Sequence, residues 1–280
     1  MTHIRHIFTL ILSCLSLAAN SQTPADSIAI HNTDNWETIH HDNTHKISRG
    51  NFPSLFGHPQ NVTTIEAVHG SHTIGIGISD TLRLTSEIAQ THHAAIAVNG
   101  SYFDMTHGNS VSFLKENTRL IATTAPAETN RCNGAIRCVN RTLEILPWNP
   151  RTEQTYTDTI GTILAGGPLL IHAGTPQAPP EIPGTFTLSP HPRTAVGLTR
   201  QGNIILLTVD GRHPGNAQGM TIPQLTYLMR QLGCTDAINL DGGGSTTLWT
   251  AIHGILNHPS DNAAFDHQGQ RPVPNILYLR

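Results

Sequence analysis

Charge is scarce in this sequence. Asp, Glu, Lys and Arg make up 12% of its 280 residues and the net charge is −3, so the basic stripe of a nucleic-acid surface is absent. Aromatic residues are few, at 5%. Beyond one apolar run near the N-terminus no second long apolar segment follows, so nothing later in the chain is expected to span a membrane. Neither HxH nor HExxH occurs among the 18 histidines. The compact histidine metal motifs are therefore missing, and scattered histidines are read as solvated or core residues.

The apolar run itself, Ile7 to Ala19, follows Arg5 and ends in the small-residue site Ala19-Asn20-Ser21. Residues 1–21 read as a signal peptide. Cys14 suggests a lipoprotein, but Leu12 fits a lipobox poorly, so cleavage to an exported protein, periplasmic or extracellular and without stable membrane insertion, is the expectation. Cys132, Cys138 and Cys234 then remain. Cys132 and Cys138 bracket a short loop, Asn133–Arg137, and in an oxidising compartment they are expected to form a disulfide. No second pair completes a cysteine metal site. Cys234 is expected to pack as a small hydrophobe.

Residues 22–61 are polar and rich in His and Asn, and are read as an N-terminal arm. From Val62 to the C-terminus the chain reads as one domain. Ile65 to Val68, Ile74 to Ile78, Ala94 to Val98, Leu143 to Leu146, Ala195 to Leu198, Ile204 to Val209 and Val273 to Leu279 have the composition of strands. Thr85 begins one helical segment. Thr221 caps another, with Pro223 in its first turn and Ile222, Leu225, Leu228, Met229 and Leu232 on one face, and Gly233 stops it. Thr175 to Pro190 is proline-rich and reads as a loop flanking a cleft. The expected fold is α+β (or α/β), with a mixed, strand-rich sheet flanked by helices.

One stretch organises the chain: Ala237-Ile238-Asn239-Leu240-Asp241-Gly242-Gly243-Gly244-Ser245-Thr246. A buried strand ends in a carboxylate, three glycines and hydroxyls. Consecutive glycines cost backbone entropy, which is understandable if a ligand must approach the backbone or if exposed N–H groups hold an anion. A tight turn between strands is the plainer alternative. The segment Ala95-Ile96-Ala97-Val98-Asn99-Gly100 echoes it, so two similar strand ends can bring Asn99 and Asp241 together. Asp210 also follows an apolar strand. Arg193 is the best anion anchor, since a guanidinium fork binds phosphate bidentately, and Thr194 shares its strand entry. His191 and His213 are candidates for orienting a ligand.

Taken in order, Asn99-Gly100-Ser101-Tyr102-Phe103-Asp104, Gly166-Gly167-Pro168-Leu169, Pro192 to Gly197, Val209 to Arg212 and Asn239 to Ser245 resemble the phosphodiester glycosidase family. Ser101 and Tyr102 depart from the glycine and phenylalanine more usual in the first of these motifs. The resemblance implies hydrolysis of a sugar-1-phosphodiester, with α-linked N-acetylglucosamine as the sugar, no cofactor and no metal. Asp241 or Asp210 would act on the anomeric carbon. Arg193, Gly242, Gly243, Gly244, Ser245 and Thr246 would hold the phosphate, Asn99 and Asp104 the sugar, and Thr194 would belong to the same substrate site. Two other readings stand beside it: a metal-dependent phosphodiesterase whose metal is bound by Asp104, Asp210, Asp241 and one or more histidines, and a non-catalytic glycan-binding domain of the cell envelope.

Overall fold

The computed structural model describes residues 22–182 and 184–280; the expected signal peptide lies outside them. In chain order the first elements are α1 (Pro24–His31), β1 (Trp36–His41), β2 (His45–Leu55), β3 (His58–Ala67), β4 (Ile74–Arg83), α2 (Thr85–Thr91) and β5 (Ile96–Asn99). The middle carries β6 (Leu114–Glu116), β7 (Arg119–Ala122), β8 (Gly134–Val139), β9 (Thr142–Pro147), α3 (Pro150–Thr155), β10 (Thr162–Gly166), β11 (Leu169–His172) and β12 (Thr175–Pro176). The last part carries β13 (Arg193–Thr199), β14 (Ile204–Val209), α4 (Ile222–Gln231), β15 (Cys234–Asn239), β16 (Leu248–Thr250), β17 (Gly254–Ile255) and β18 (Val273–Leu279).

These strands form three sheets, with the orders β1-β2-β3-β14-β13-β15-β11-β12, β7-β6-β10-β8-β9 and β17-β16-β5-β18-β4. The expectation of a mixed sheet is corrected: every pairing is antiparallel. Much of the pairing is between sequence neighbours, such as β2–β3, β8–β9 and β13–β14, and short connections favour antiparallel pairs.

The centre of the eight-stranded sheet is buried on both faces, which explains the unbroken apolar run of β14. Ile204 and Leu206 point into a core shared with the other two sheets, beside Val98, Leu164 and Leu277. Ile205, Leu207 and Val209 point the other way, onto Leu225, Leu228 and Met229 of α4 and Ile30 of α1. A strand covered on both sides loses the polar alternation of a half-exposed one. Truncating a leucine here to alanine costs about 2–5 kcal/mol. Helix α4 follows its local signals: the Thr221 hydroxyl accepts from Gln224 N, and Gly233 at φ 85° ends the helix.

Two stretches differ from the sequence reading. The polar residues 22–61 contain α1, β1, β2 and the start of β3, because an edge strand with one face open to water keeps a polar composition. The expected Cys132–Cys138 disulfide is also corrected. All three cysteines among the described residues are free and buried. Residues 134–139 are strand β8, not a loop. An extended strand advances about 3.3 Å per residue, which carries Cys138 far beyond the Cα separation a disulfide tolerates. Cys132 instead contacts the Ser112 hydroxyl at 3.3 Å.

Candidate active site

The two echoing strand ends meet. Each follows a helix, α2 before β5 and α4 before β15. Asp241 N donates to Gly100 O at 3.1 Å, and Asn99 Nδ2 donates to Asp241 O at 2.7 Å. Asn99 Oδ1 accepts from Thr194 Oγ1 at 2.8 Å and from Thr247 N at 3.1 Å. Asn99 and Thr194 are fully buried, and their polar groups clasp β5, β13 and the glycine turn. That clasp sets where Asp241 projects.

Asp241 is half-buried. Burial pushes its carboxyl up to about 6, against the opposing pull of the Ser245 hydroxyl, the charges of Arg131 and Arg271, and the Gly242 N–H. A carboxylate in that range is suited to exchanging protons near neutral pH. The turn after it is crowded. Gly243 sits at φ 60°, and a Cβ there would lie 2.8 Å from Arg212 Nη2. A Cβ on Gly244 would run into the paired Arg271 and Asp261 side chains. So Arg212 and Arg271 lie directly on the turn, and glycine is what lets them approach. The turn's N–H groups are only partly free: Gly243 N donates to Pro192 O, Ser245 N to Gly242 O and Thr246 N to Gly243 O. By contrast the buried Thr246 and Thr247 hydroxyls have no hydrogen-bond partner among the described residues, an excess of polar capacity that a folded interior does not normally leave.

Arg131 and Arg193 share the ring of Phe186, at 5.3 and 5.0 Å from its centroid, and Arg131 also lies 3.8 Å over the Tyr102 ring. Phe186 belongs to the loop expected to flank a cleft. Arg131 pairs with Glu128. Arg193 has no carboxylate partner among the described residues; its Nε donates to Met220 O at 2.7 Å and its Nη2 to Phe186 O and Ser189 O at 2.7 and 3.1 Å. Its Nη1 takes no part in these bonds. Burial draws the Arg193 guanidinium down to about 10. Burial, and then the charges of Arg193 and Arg212, hold His191 below the ordinary histidine value.

Asp210 is 1% exposed and fully engaged. Its Oδ1 accepts from His258 N at 2.9 Å and Asn257 Nδ2 at 3.3 Å, and its Oδ2 meets His258 Nδ1 at 2.7 Å. An ionised carboxylate only accepts, so Nδ1 carries the proton and Nε2 is the free nitrogen. Asn257 Nδ2 also donates to Thr246 O at 3.0 Å, tying Asp210 to the glycine turn. The His258 ring stacks on Phe265 and His267, and His213 meets the same Phe265. Asp104 closes its own turn, accepting from Thr106 N and His107 N and meeting His107 Nδ1 at 2.8 Å. Among the described residues no group of three metal-ligating side chains includes Asp104, Asp210 or Asp241. A cavity of 560 Å³ lined by Ile78, His107, Leu120 and Asn275 contains neither Asp210 nor Asp241; the carboxylates with perturbed or paired chemistry lie elsewhere, and chemistry outweighs volume in locating the site.

The sequence reading did not single out Arg131, Arg271, Asp261, Phe186 or His258. Arg131 and Phe186 come from two different loops and His258, Asp261 and Arg271 from the connection between β17 and β18, with no motif spacing, whereas Arg212 lies inside a motif already noted.

A sequence profile of the phosphodiester glycosidase family matches residues 92–280. The chain belongs to the phosphodiester glycosidase family. The matched range contains Asp241, Asp210 and all four arginines around the turn. Within the family, the chain is 41% identical over 71 residues to the mouse N-acetylglucosamine-1-phosphodiester alpha-N-acetylglucosaminidase, a match that covers 25% of this chain and 13% of the mouse protein. It is 40% identical over 72 residues to a Bacillus subtilis (strain 168) SPbeta prophage-derived uncharacterized protein, over 25% of this chain and 11% of that protein. In fold it is similar to the zebrafish N-acetylglucosamine-1-phosphodiester alpha-N-acetylglucosaminidase catalytic domain, auto-inhibited by its pro-peptide: TM-score 0.66 at 19% identity, over 94% of this chain and 92% of that one. A hypothetical protein from Synechocystis has a TM-score of 0.65 at 15% identity, over 87% of this chain and 63% of that one.

Proposed function

We propose that this protein is an exported glycosidase that hydrolyses a sugar-1-phosphodiester, with an α-linked N-acetylglucosamine-1-phosphodiester as substrate, to free sugar and a phosphomonoester. The observation that carries the reading is Asp241, raised to about 6 by burial at a turn on which Arg212 and Arg271 lie directly. The names of the mouse, bovine and human relatives point to the same substrate class. Export rests on the leader-like residues 1–21.

In this reaction the bond from the anomeric carbon to the phosphate oxygen breaks, and its electron pair leaves with the phosphomonoester. A water oxygen ends on the anomeric carbon. Asp241 supports that exchange either as the base that takes the water's proton or as the nucleophile of a two-step displacement. The departing phosphomonoester is a stable anion, so the main demand is charge stabilisation. Arg131, Arg212 and Arg271 meet it, with the Gly242–Gly244 backbone and the Ser245 and Thr246 hydroxyls beneath. Asp210 acts through His258, whose free Nε2 is a second group able to hold a proton. Asn99, Thr194 and Arg193 hold the strand ends and the Phe186 loop in place, and Asp104 lies on a neighbouring turn as a sugar contact.

Product analysis on an N-acetylglucosamine-1-phosphodiester in excess chelator tests this. Free N-acetylglucosamine plus phosphomonoester is expected. N-acetylglucosamine 1-phosphate would show P–O cleavage instead, and tight binding without turnover would make the protein a glycan-binding domain.

A further inference from the structure

The opposite end of the eight-stranded sheet carries a second constellation. Strand β3 runs from Val62, paired with Val209 beside Asp210, to Ala67, paired with His45. At about 3.4 Å per residue, His45 lies well over 10 Å along the sheet from the Asp210 end. There β1 and β2 are joined by a turn built on Asp42. Its Oδ1 accepts from Thr44 N at 2.7 Å, His45 N at 3.0 Å and Thr44 Oγ1 at 2.7 Å. Its Oδ2 is therefore held in one direction, facing His40 Nε2 at 3.0 Å. His45 Nδ1 lies 3.7 Å from Asp42 Oδ1 and 2.9 Å from the Thr44 hydroxyl.

One ligand atom from each of His40, Asp42 and His45 lies within 4.8 Å of the others. Ligands placed about 2.1 Å from a tetrahedral ion stand roughly 3.4 Å apart; His40 Nε2 and Asp42 Oδ2 stand 3.0 Å apart, and the ligand atom of His45 lies within 4.8 Å of the group. Two further imidazoles border the group. The His72 ring is 5.8 Å from that of His45, and the His253 ring is 5.9 Å from that of His40. His72 is itself fixed by the Ser71 hydroxyl at 2.6 Å. Two imidazoles, from β1 and β2, thus meet one carboxylate, and two more, from the β3–β4 connection and the β16–β17 turn, border them. Hydroxyl and turn contacts that orient the ring and the carboxylate are the kind of support that ligating groups receive.

We propose that His40, Asp42 and His45 bind a late first-row divalent cation, with Zn²⁺ as the reference ion. Two imidazoles and one carboxylate suit Zn²⁺, Ni²⁺ or Cu²⁺, whereas Mg²⁺ and Ca²⁺ demand oxygen ligands. The site fastens the β1–β2 turn at the sheet edge and takes no part in the chemistry at Asp241.

The test uses the full, untagged chain stripped with chelator. Zinc titration against a chromogenic chelator, with native mass spectrometry for stoichiometry, is expected to show one Zn²⁺ per chain and a zinc-dependent rise in Tm that Mg²⁺ and Ca²⁺ do not produce. His40→Gln/His45→Gln is expected to weaken zinc binding at least about tenfold. Asp42→Asn keeps the acceptor that builds the turn and loses the charge, so it is expected to weaken binding while the metal-free circular dichroism and Tm stay as in wild type. Absence of zinc uptake by wild type, or equal zinc affinity in wild type and both variants, would overturn the proposal.

Discussion

Asp241 and Asp210 end neighbouring regions of the same sheet, each after an apolar strand and each before glycine, yet they live in different surroundings. Asp241 is half-buried and is pushed up to about 6 by burial that its neighbours do not fully offset. Asp210 is sealed, and three hydrogen bonds from Asn257 and His258 use both its oxygens. Local sequence puts a carboxylate at a strand end. The partners that arrive from residues 257 and 258 decide whether it stays available to a substrate or is committed to a histidine. A burial-raised carboxyl in a site is held against its own stability, whereas a fully hydrogen-bonded one adds to it, so the same substitution should act with opposite signs at the two positions.

The largest expected effect is at Asp241. Asp241→Asn should lower kcat on an N-acetylglucosamine-1-phosphodiester by about 100-fold or more while raising Tm. The sign follows from linkage. The folded carboxyl titrates near 6 against an unfolded value of 3.8, so the native state binds the proton more tightly. Stability then declines as pH rises from about 4 to 6 and stays lower above that. Asn removes a penalty on the order of 2 kcal/mol. The acidic limb of wild-type kcat/KM should accordingly fall about tenfold per pH unit below about 6, where an ordinary carboxylate would hold activity to about pH 4. A folded variant keeping a third of wild-type kcat would remove Asp241 from the chemistry.

Next in size is Asp210→Asn. The amide can still accept from His258 N but no longer offers a carboxylate oxygen to Nδ1, so the ring loses the partner that fixes its tautomer. An activity loss of about tenfold is expected, with a fall in Tm from losing hydrogen bonds to a buried charge, each worth about 1.5–3 kcal/mol. Thermal melts and kcat/KM on the two Asp→Asn variants together form the measurement. If Asp210→Asn were the inactive and stabilised one, the roles of the two strand ends would have to be exchanged.

What could be read before the fold was known follows the range of the interactions. Helix α4 was legible because its cap, its apolar face and its stop all lie within one short stretch, Thr221 to Gly233. Strand β14 was legible because burial on both faces leaves it wholly apolar. The meeting of Asn99 with Asp241 was suggested by two strand ends of similar composition, and the hydrogen bond between them is present. Strands β1 and β2 were hidden by the polar composition that an exposed edge permits. Strand β8 passed for a loop because two cysteines with five residues between them invite a disulfide. Arg131, Arg271 and His258 had no local sign at all. Arg131 reaches the site by stacking on Tyr102 and Phe186, and Arg271 by pairing with Asp261 above Gly244, contacts that exist only once the sheets have come together.

Arg193 gives the smallest and most discriminating expectation. As a sequence feature it is an anion anchor, and in the fold its Nε and Nη2 hold three carbonyls, of Met220, Phe186 and Ser189. Lysine keeps a cation but presents a single ammonium that cannot span those three oxygens as the planar fork of Nε and Nη2 does. Arg193→Lys should therefore lower Tm, by an amount corresponding to about 2 kcal/mol for a lost charged hydrogen bond, because the Phe186 loop is no longer tied to the segment before α4. The effect on catalysis should be indirect: KM rises about twofold to threefold as the Phe186 ring moves relative to Arg131, a shift worth only about 0.5 kcal/mol, and kcat holds. Loss of a guanidinium that itself docked the phosphate would look different, with KM up tenfold or more and Tm unchanged, since a bidentate charged contact would vanish from the complex and nothing from the free protein. Melting curves and a KM-against-kcat comparison on the same preparation separate the two outcomes, and the second would place Arg193 Nη1 on the substrate beside Asp241.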